Sequence, residues 1–219
     1  MFPLLHRLWN IALDFLFPRA AHIAELESLS LAGFRERTGR ASGGAAHTVV
    51  LFAYGDPLVK AAIWELKYRG NKKIAGLLGE LLHEELLAWL EEHLAFTQSE
   101  KPMLMPIPLS AKRRRERGFN QCELLIDAIA GAGGNGAFEI DKNTLIKIKD
   151  TQSQTKSENR EARQKNLKGC FAVARPEKIQ NKMIILIDDV ATTGATIAEA
   201  RQTLLDAGAK KVIAFAIAH

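Results

Sequence analysis

The sequence predicts an α/β fold built on an open, mostly parallel sheet, and three observations carry that prediction. Strand-like apolar runs alternate with segments of helical periodicity along most of the chain. Two of the runs, Met183 to Ile187 (MIILI) and Lys211 to Ala218, are apolar almost throughout, as strands buried on both faces are. The repeated order of strand then helix is the one that right-handed crossovers between parallel strands require. A length of 219 residues suits one such domain with a small appendage.

Leu4, Leu5, Leu8, Ile11, Ala12, Phe15 and Leu16 recur near helical spacing until Pro18, which predicts a short amphipathic helix. It would dock on the rest of the fold or on another copy, so a dimer is compatible. Arg7 and Asp14 interrupt this run, which is too short to span a bilayer and has no small-residue cleavage site after it. The expectation is no membrane span and a cytoplasmic location. Ser28 to His47 is rich in Gly, Ser, Thr and Arg and reads as loop, so residues 1–47 are expected to form an appendage to a main domain of 48–219.

Thr48 to Ala53 (TVVLFA) reads as a strand, followed by a helical pattern from Pro57 to Tyr68. From Ile74 to Leu94 the apolar face of a longer helix is Leu77, Leu78, Leu81, Leu82, Leu86, Trp89 and Leu90. A strand over Met103 to Leu109, a basic loop and a helix over Cys122 to Ala130 make the next α/β unit. Leu145 to Ile148 is a short strand. Lys149 to Asn166 has almost no apolar side chain and reads as a mobile stretch or lid. After Met183 to Ile187, a helix from about Thr196 to Asp206 stops at Gly208.

Composition bounds the function classes. Apolar content of 47 % with 25 % charged residues excludes wholesale disorder and a membrane bundle. Cys122 and Cys170 stand alone, so neither a disulfide framework nor a cysteine zinc site is predicted. The formal charge is +5, and it is concentrated. Residues 112–117 hold five basic and one acidic side chain and residues 147–168 seven and three, each a net +4, so the rest of the chain nets −3. Two cationic segments, rather than a generally basic protein, point to a phosphorylated ligand or nucleic acid.

The most informative segment is Ile184 to Thr196, IILIDDVATTGAT. An apolar strand delivers Asp188 and Asp189 to its C-terminal end, where open α/β sheets place their ligands. Adjacent strand side chains alternate, so the two carboxylates are expected to diverge toward separate hydroxyls. Ala191, Thr192, Thr193, Gly194 and Ala195 are small, and with Thr196 they let backbone amides, threonine hydroxyls and a helix N-terminus converge on one phosphate. Together these describe a ribose 5-phosphate site. The competing reading, with no ligand, is a strand, a turn and a helix capped by Thr196. A Walker B strand would need a GxxxxGK[ST] loop, which the chain lacks, and the GxGxxG at Gly131, Gly133 and Gly136 follows a helix rather than a strand.

The same segment resembles the phosphoribosyl pyrophosphate (PRPP) motif of type I phosphoribosyltransferases. LKYRGN at Leu66 to Asn71, PIPLSAKRRRERGFNQ at Pro106 to Gln121 and TQSQTKSENREARQKNLKGCF at Thr151 to Phe171 are similar to the ComF/GntX competence family. The likeness covers roughly residues 55 to 219. It implies a type I phosphoribosyltransferase-like sheet that binds PRPP with Mg²⁺, the ion being held through PRPP and not directly by protein. It also implies phosphoribosyl transfer to an unidentified acceptor with release of pyrophosphate, and a link to competence and DNA uptake.

The resemblance places PRPP contacts at Asp188, Asp189, Ala191, Thr192, Thr193, Gly194, Ala195 and Thr196. It places a pyrophosphate loop at Ser110, Lys112, Arg113, Arg114, Arg115 and Arg117, and a flexible loop carrying Gln152, Gln154, Arg160 and Arg163. Asp188, Asp189, Arg160 and Arg163 are the implied catalytic residues. Relatives commonly carry a Cys-rich zinc element after a Phe-Pro pair; here Phe17 and Pro18 lead into RAAHIAELESLSLAGF without a cysteine, and His22 alone cannot hold zinc. The alternative is a non-catalytic module using the basic loops on single-stranded DNA or on competence proteins. Aromatic residues are few, and only Phe119 lies within a basic cluster.

Overall fold

The computed structural model of the chain describes residues 21–41, 47–93, 101–150 and 167–219. The predicted N-terminal helix and the flexible-loop residues Gln152, Gln154, Arg160 and Arg163 lie outside these residues.

Five strands form one wholly parallel sheet: β1 (Thr48–Phe52), β2 (Met103–Pro106), β3 (Glu139–Ile140), β6 (Met183–Val190) and β7 (Lys211–Ala218), in the order β1-β7-β6-β2-β3. A separate antiparallel pair joins β4 (Leu145–Lys147) to β5 (Phe171–Val173). The apolar runs go where their composition sends them. β6 is the central strand, paired with β2 on one side and along its whole length with β7 on the other.

The two-residue period of a strand divides β6 and β7 between two cores. Ile185, Ile187, Ile213, Phe215 and Ile217 face one, with Leu78 and Leu82 of α4 (Lys72–His93) and Leu125 and Ile126 of α6 (Gln121–Ile129). Ile184, Leu186, Val212, Ala214 and Ala216 face the other, with Ile197, Ala200 and Leu204 of α7 (Ala195–Asp206).

This topology fixes where a ligand can enter. The chain leaves β2 for the outer strand β3 on one side, and leaves β6 for β7 on the other. The two connections part between the C-terminal ends of β2 and β6, and a crevice opens at such a switch point.

Several elements differ from the sequence reading. The Ser28 to His47 stretch, read as loop, contains α2 (Leu31–Arg37), preceded in the appendage by α1 (Ala21–Ser28), and the Ser30 hydroxyl caps α2 by accepting from Gly33 N at 3.1 Å. Leu26 and Phe34 of these helices are fully buried, Phe34 edge-on to Phe52 at 5.3 Å between centroids. Seven or eight residues are too few to show a helical period among polar neighbours. The basic loop is a helix, α5 (Ala111–Arg117), with no buried residue and hence no apolar stripe to read. The pattern from Pro57 is α3 (Pro57–Trp64), capped by Asp56, and widens into a π-helical turn over Glu65–Arg69. The glycine segment after α6 forms a turn, with Gly133 at φ 103°. Gly194, not Thr196, occupies the N-cap of α7. Among the described residues no helix is long and apolar enough to cross a membrane.

Candidate functional site

Asp188 and Asp189 end the buried part of β6 at the switch point, and both are almost wholly buried. Alternation sends Asp188 toward the α7 side of the sheet and Asp189 toward the α4 side, yet their oxygens and the Cys122 sulfur lie within 4.8 Å of one another. Asp188 Oδ1 accepts from Asp189 N at 2.9 Å and from the Cys122 thiol at 3.6 Å. Asp189 Oδ1 accepts from Val190 N at 2.8 Å, and Lys67 Nζ stands 3.0 Å from Asp189 Oδ2 as an ion pair without well-aligned hydrogen-bond geometry.

The electrostatics follow from this crowding. Burial, and then the charge of Asp189, push the Asp188 carboxyl up to about 7. Burial and the same two carboxylates push the Cys122 thiol well up, so it stays protonated and donates. Burial alone would lower Lys67, but the Asp189 carboxylate more than offsets it and holds the ammonium above its ordinary value. The trio of Cys122, Asp188 and Asp189 is the one cluster of metal-ligand type among the described residues. Its donor chemistry suits magnesium poorly: a hard cation takes oxygen ligands, and here one donor is a protonated thiol and one carboxylate is already paired with Lys67.

Beyond the carboxylates the chain turns into α7. Ala191 N donates to Ala218 O at 2.9 Å, so its amide belongs to the sheet. Thr192 is exposed, Thr193 Oγ1 accepts from Ala195 N at 3.4 Å, and Gly194 adopts φ 71°, a left-handed conformation that a side chain would strain. Gly194 offers no side-chain cap to α7 and Thr193 takes only the Ala195 amide, so first-turn amides, among them that of Thr196, are available to a ligand at this helix start.

The basic helix α5 follows β2 on the other wall of the crevice. Ser110 is its N-cap, accepting from Arg113 N at 3.4 Å. Arg114 is bound to Glu123 at 2.5 and 3.0 Å, and Arg117 donates to Gln121 Oε1 at 3.0 Å. Lys112, Arg113 and Arg115 have no side-chain partner among the described residues. Asn120 closes the segment: it donates to Ile107 O at 3.1 Å and accepts from Cys122 N at 3.0 Å.

Two parts of the site escaped the sequence reading. Lys67 reaches it from the π-helical turn, whose buried Glu65 binds Arg69 at 3.1 Å and Asn71 at 3.1 Å. The LKYRGN segment was the signal, but only folding shows which residue it delivers. Lys147 of β4 is the other. Burial holds its ammonium below the usual lysine range; Cys170 opposes the shift, Arg113 adds to it and Asp188 opposes it, and the ammonium lies 5.4 Å from the centroid of the Phe171 ring. Phe119, the aromatic singled out among the basic residues, packs against Gly70; the exposed ring beside α5 is Tyr68, with the Arg117 guanidinium 5.4 Å from its centroid.

Known proteins bear on this arrangement. No protein-family model matches the chain. It is similar to the DNA utilization protein YhgH of Salmonella typhi, 32 % identical over 159 residues, which cover 71 % of this chain and 65 % of that protein. YhgH of Escherichia coli K12 is 31 % identical over 75 % of this chain and 68 % of its own length. The competence protein ComFC of Streptococcus pneumoniae is 30 % identical over 80 % and 68 %. The chain thus spans just under two thirds of the length of the Salmonella relative. Among solved structures, glutamine PRPP amidotransferase from B. subtilis matches 70 % of this chain and 30 % of its own at 14 % identity, with a TM-score of 0.42. Hypoxanthine-guanine phosphoribosyl transferase of L. donovani matches 67 % and 71 % at 9 % identity, with a TM-score of 0.41. On identity and coverage over the YhgH and ComFC sequences, the chain belongs to the ComF family.

Proposed function

We propose that the chain binds Mg–PRPP at the β2/β6 switch point and serves phosphoribosyl transfer. The observation that carries this reading is one crevice lined by three different recognition chemistries. Buried carboxylates accept from ribose hydroxyls, the uncapped start of α7 receives the 5-phosphate, and Lys112, Arg113, Arg115 and Lys147 face the pyrophosphate. Arg113 and Lys147 are near enough to repel each other, and an anion bound between them would offset that cost. Magnesium enters as part of the substrate, on its phosphate oxygens, since the buried trio offers no cage for it.

In the transfer, a nucleophile on the acceptor forms a bond to the anomeric carbon as the bond to the pyrophosphate oxygen breaks. The pair of electrons leaves with pyrophosphate, whose charge the basic helix stabilises in place. The family resemblance implies that Gln152, Gln154, Arg160 and Arg163 also serve the pyrophosphate. DNA utilization and competence, the roles that the relatives' names give, are the processes this activity would serve.

Thermal melts with Mg–PRPP, ribose 5-phosphate and Mg–pyrophosphate test the reading. Mg–PRPP at about 100 times its Kd is expected to add about 2.7 kcal/mol of stability, with smaller gains from the two halves. No shift with any of the three would remove the reading. Release of pyrophosphate on adding nucleobases or amines tests the transfer step.

A second reading, a single-stranded DNA surface, is favoured by the exposed Tyr68 under Arg117 beside α5. It predicts affinity for DNA that falls steeply with salt and depends on Tyr68, while Mg–PRPP leaves the melt unchanged.

A further inference from the structure

The reading of the carboxylates as hydroxyl acceptors raises a chemical difficulty that the structure resolves. A carboxylate accepts from a hydroxyl through either oxygen, whereas a protonated carboxyl presents a donor of its own. Two buried carboxylates with oxygens less than 4.8 Å apart do not both stay ionised unaided, because each charge raises the cost of the other. A compensating cation must therefore reach the pair.

The groups facing Asp188 come from four elements. Asp189 is its neighbour on β6, Cys122 comes from α6, Lys147 from β4, and Lys67 from the turn after α3. Cys122 stays neutral and only donates a weak hydrogen bond. Burial holds the Lys147 ammonium below the usual lysine range, with Arg113 adding to the shift and Cys170, Asp188 and Asp150 opposing it. Lys67 makes a direct ion pair with Asp189, its Nζ 3.0 Å from Asp189 Oδ2.

Its placement is built rather than incidental. Glu65, Arg69 and Asn71 form a buried polar network around the turn, Asn71 reaches Glu27 of α1 at 2.6 Å, and Gly70 ends the turn in a left-handed conformation. Such a network fixes the direction in which the Lys67 side chain leaves the backbone.

We propose that Lys67 is a positioning residue: by holding its ammonium on Asp189 it favours ionisation of Asp188, and so its role as an acceptor for a ligand hydroxyl. The inference rests on the ribose-hydroxyl reading for its purpose but concerns a property of the protein alone, so its test needs no ligand.

The test is a ¹³C-carboxyl NMR titration of Asp-labelled protein, with Asp188→Asn for assignment, on wild type, Lys67→Met and Lys67→Arg. In Lys67→Met the upper midpoint of the Asp188/Asp189 pair is expected to rise by about one pH unit or more, the scale on which a nearby opposite charge moves a carboxyl. Lys67→Arg should restore it. If Lys67→Met does not fold, Lys67→Gln carries the same expectation with a polar group in place. A midpoint unmoved by loss of the charge overturns the inference, whatever the protein binds. A moved midpoint in a protein that shows no affinity for Mg–PRPP supports the role of Lys67 and counts instead against the ligand. Where Mg–PRPP binds, its affinity at pH 7 should fall about fivefold or more in Lys67→Met and recover toward pH 8.5, a profile that a merely structural lysine would not produce.

Discussion

A Cβ placed on Gly70 would stand 3.0 Å from both Cε1 and Cζ of Phe119, so the ring of the RGFN turn closes directly on the backbone of the LKYRGN turn. The contact joins two distant segments, one delivering Lys67 and the other following the basic helix. The Arg117 guanidinium, over the Tyr68 ring, joins them a second time. Gly70→Ala adds both a side chain at φ 59° and a clash with the ring. It is expected to cost about 1–3 kcal/mol in urea unfolding and to weaken Mg–PRPP binding as well. Phe119→Ala should restore space for the added methyl group and make the double variant less impaired than the two single effects added together.

Asp188 gives a stability signature with a definite sign. Its carboxyl is raised from 3.8 to about 7, so the native state holds this proton more tightly than the unfolded chain does. Its contribution to stability therefore declines as pH rises from about 4 to 7, and the cost of burying the charge is complete above pH 7. Asp188→Asn removes the charge and keeps an oxygen for Asp189 N. The variant should be more stable than wild type at pH 8, on the order of a few kcal/mol, with the difference shrinking toward pH 5. Equal effects at both values would show that the carboxyl titrates in its ordinary range.

Within the basic helix the arginines are not equivalent. Arg114 is tied to Glu123 by two hydrogen bonds, while Arg113 lies beside Lys147 and has no side-chain partner among the described residues. Arg113→Ala should weaken Mg–PRPP by roughly tenfold to a hundredfold, the worth of a charge-assisted bond, and Arg114→Ala by much less. Calorimetry on the two variants checks the ranking, and the reverse order would move the pyrophosphate to the outer face of the helix.

Asn120 bridges the end of β2 and the start of α6 with a fully buried amide. Asn120→Ala leaves Ile107 O without its donor and Cys122 N without its cap. Unfolding should show a loss of about 2–4 kcal/mol, the sum expected for an N-cap and a buried carbonyl left unsatisfied. Asn120→Asp keeps the cap but not the donor and should recover only part of it.

How far the sequence disclosed all this depends on range. Asp188 and Asp189 were legible because the strand that buries them and the loop after them are contiguous, so the motif carries its own context. The central strands β6 and β7 were legible for the same reason, since burial on both faces leaves an unbroken apolar run. Lys67 was not legible, because its meaning lies in a carboxylate on another strand. The helix α5 read as loop because every side chain on it faces solvent or a polar partner, leaving Ser110 and Gly118 as the only local marks of a start and a stop. Strand β3 has two residues and exists through its pairing with Met103 and Leu104, which no periodicity records. Alternation led to an expectation of diverging carboxylates; Asp188 meets Cys122 and Asp189 meets Lys67, yet at the end of the strand their oxygens remain within reach of one another.

The central claim is that these carboxylates and the open start of α7 hold one phosphorylated ribose. Isothermal titration of Mg–PRPP into wild type and into Asp188→Asn/Asp189→Asn tests it most directly. Saturable binding at one site per chain is expected in wild type and its loss in the double variant, with both proteins folded by circular dichroism. Absence of binding to wild type, or equal binding to both proteins, would contradict it.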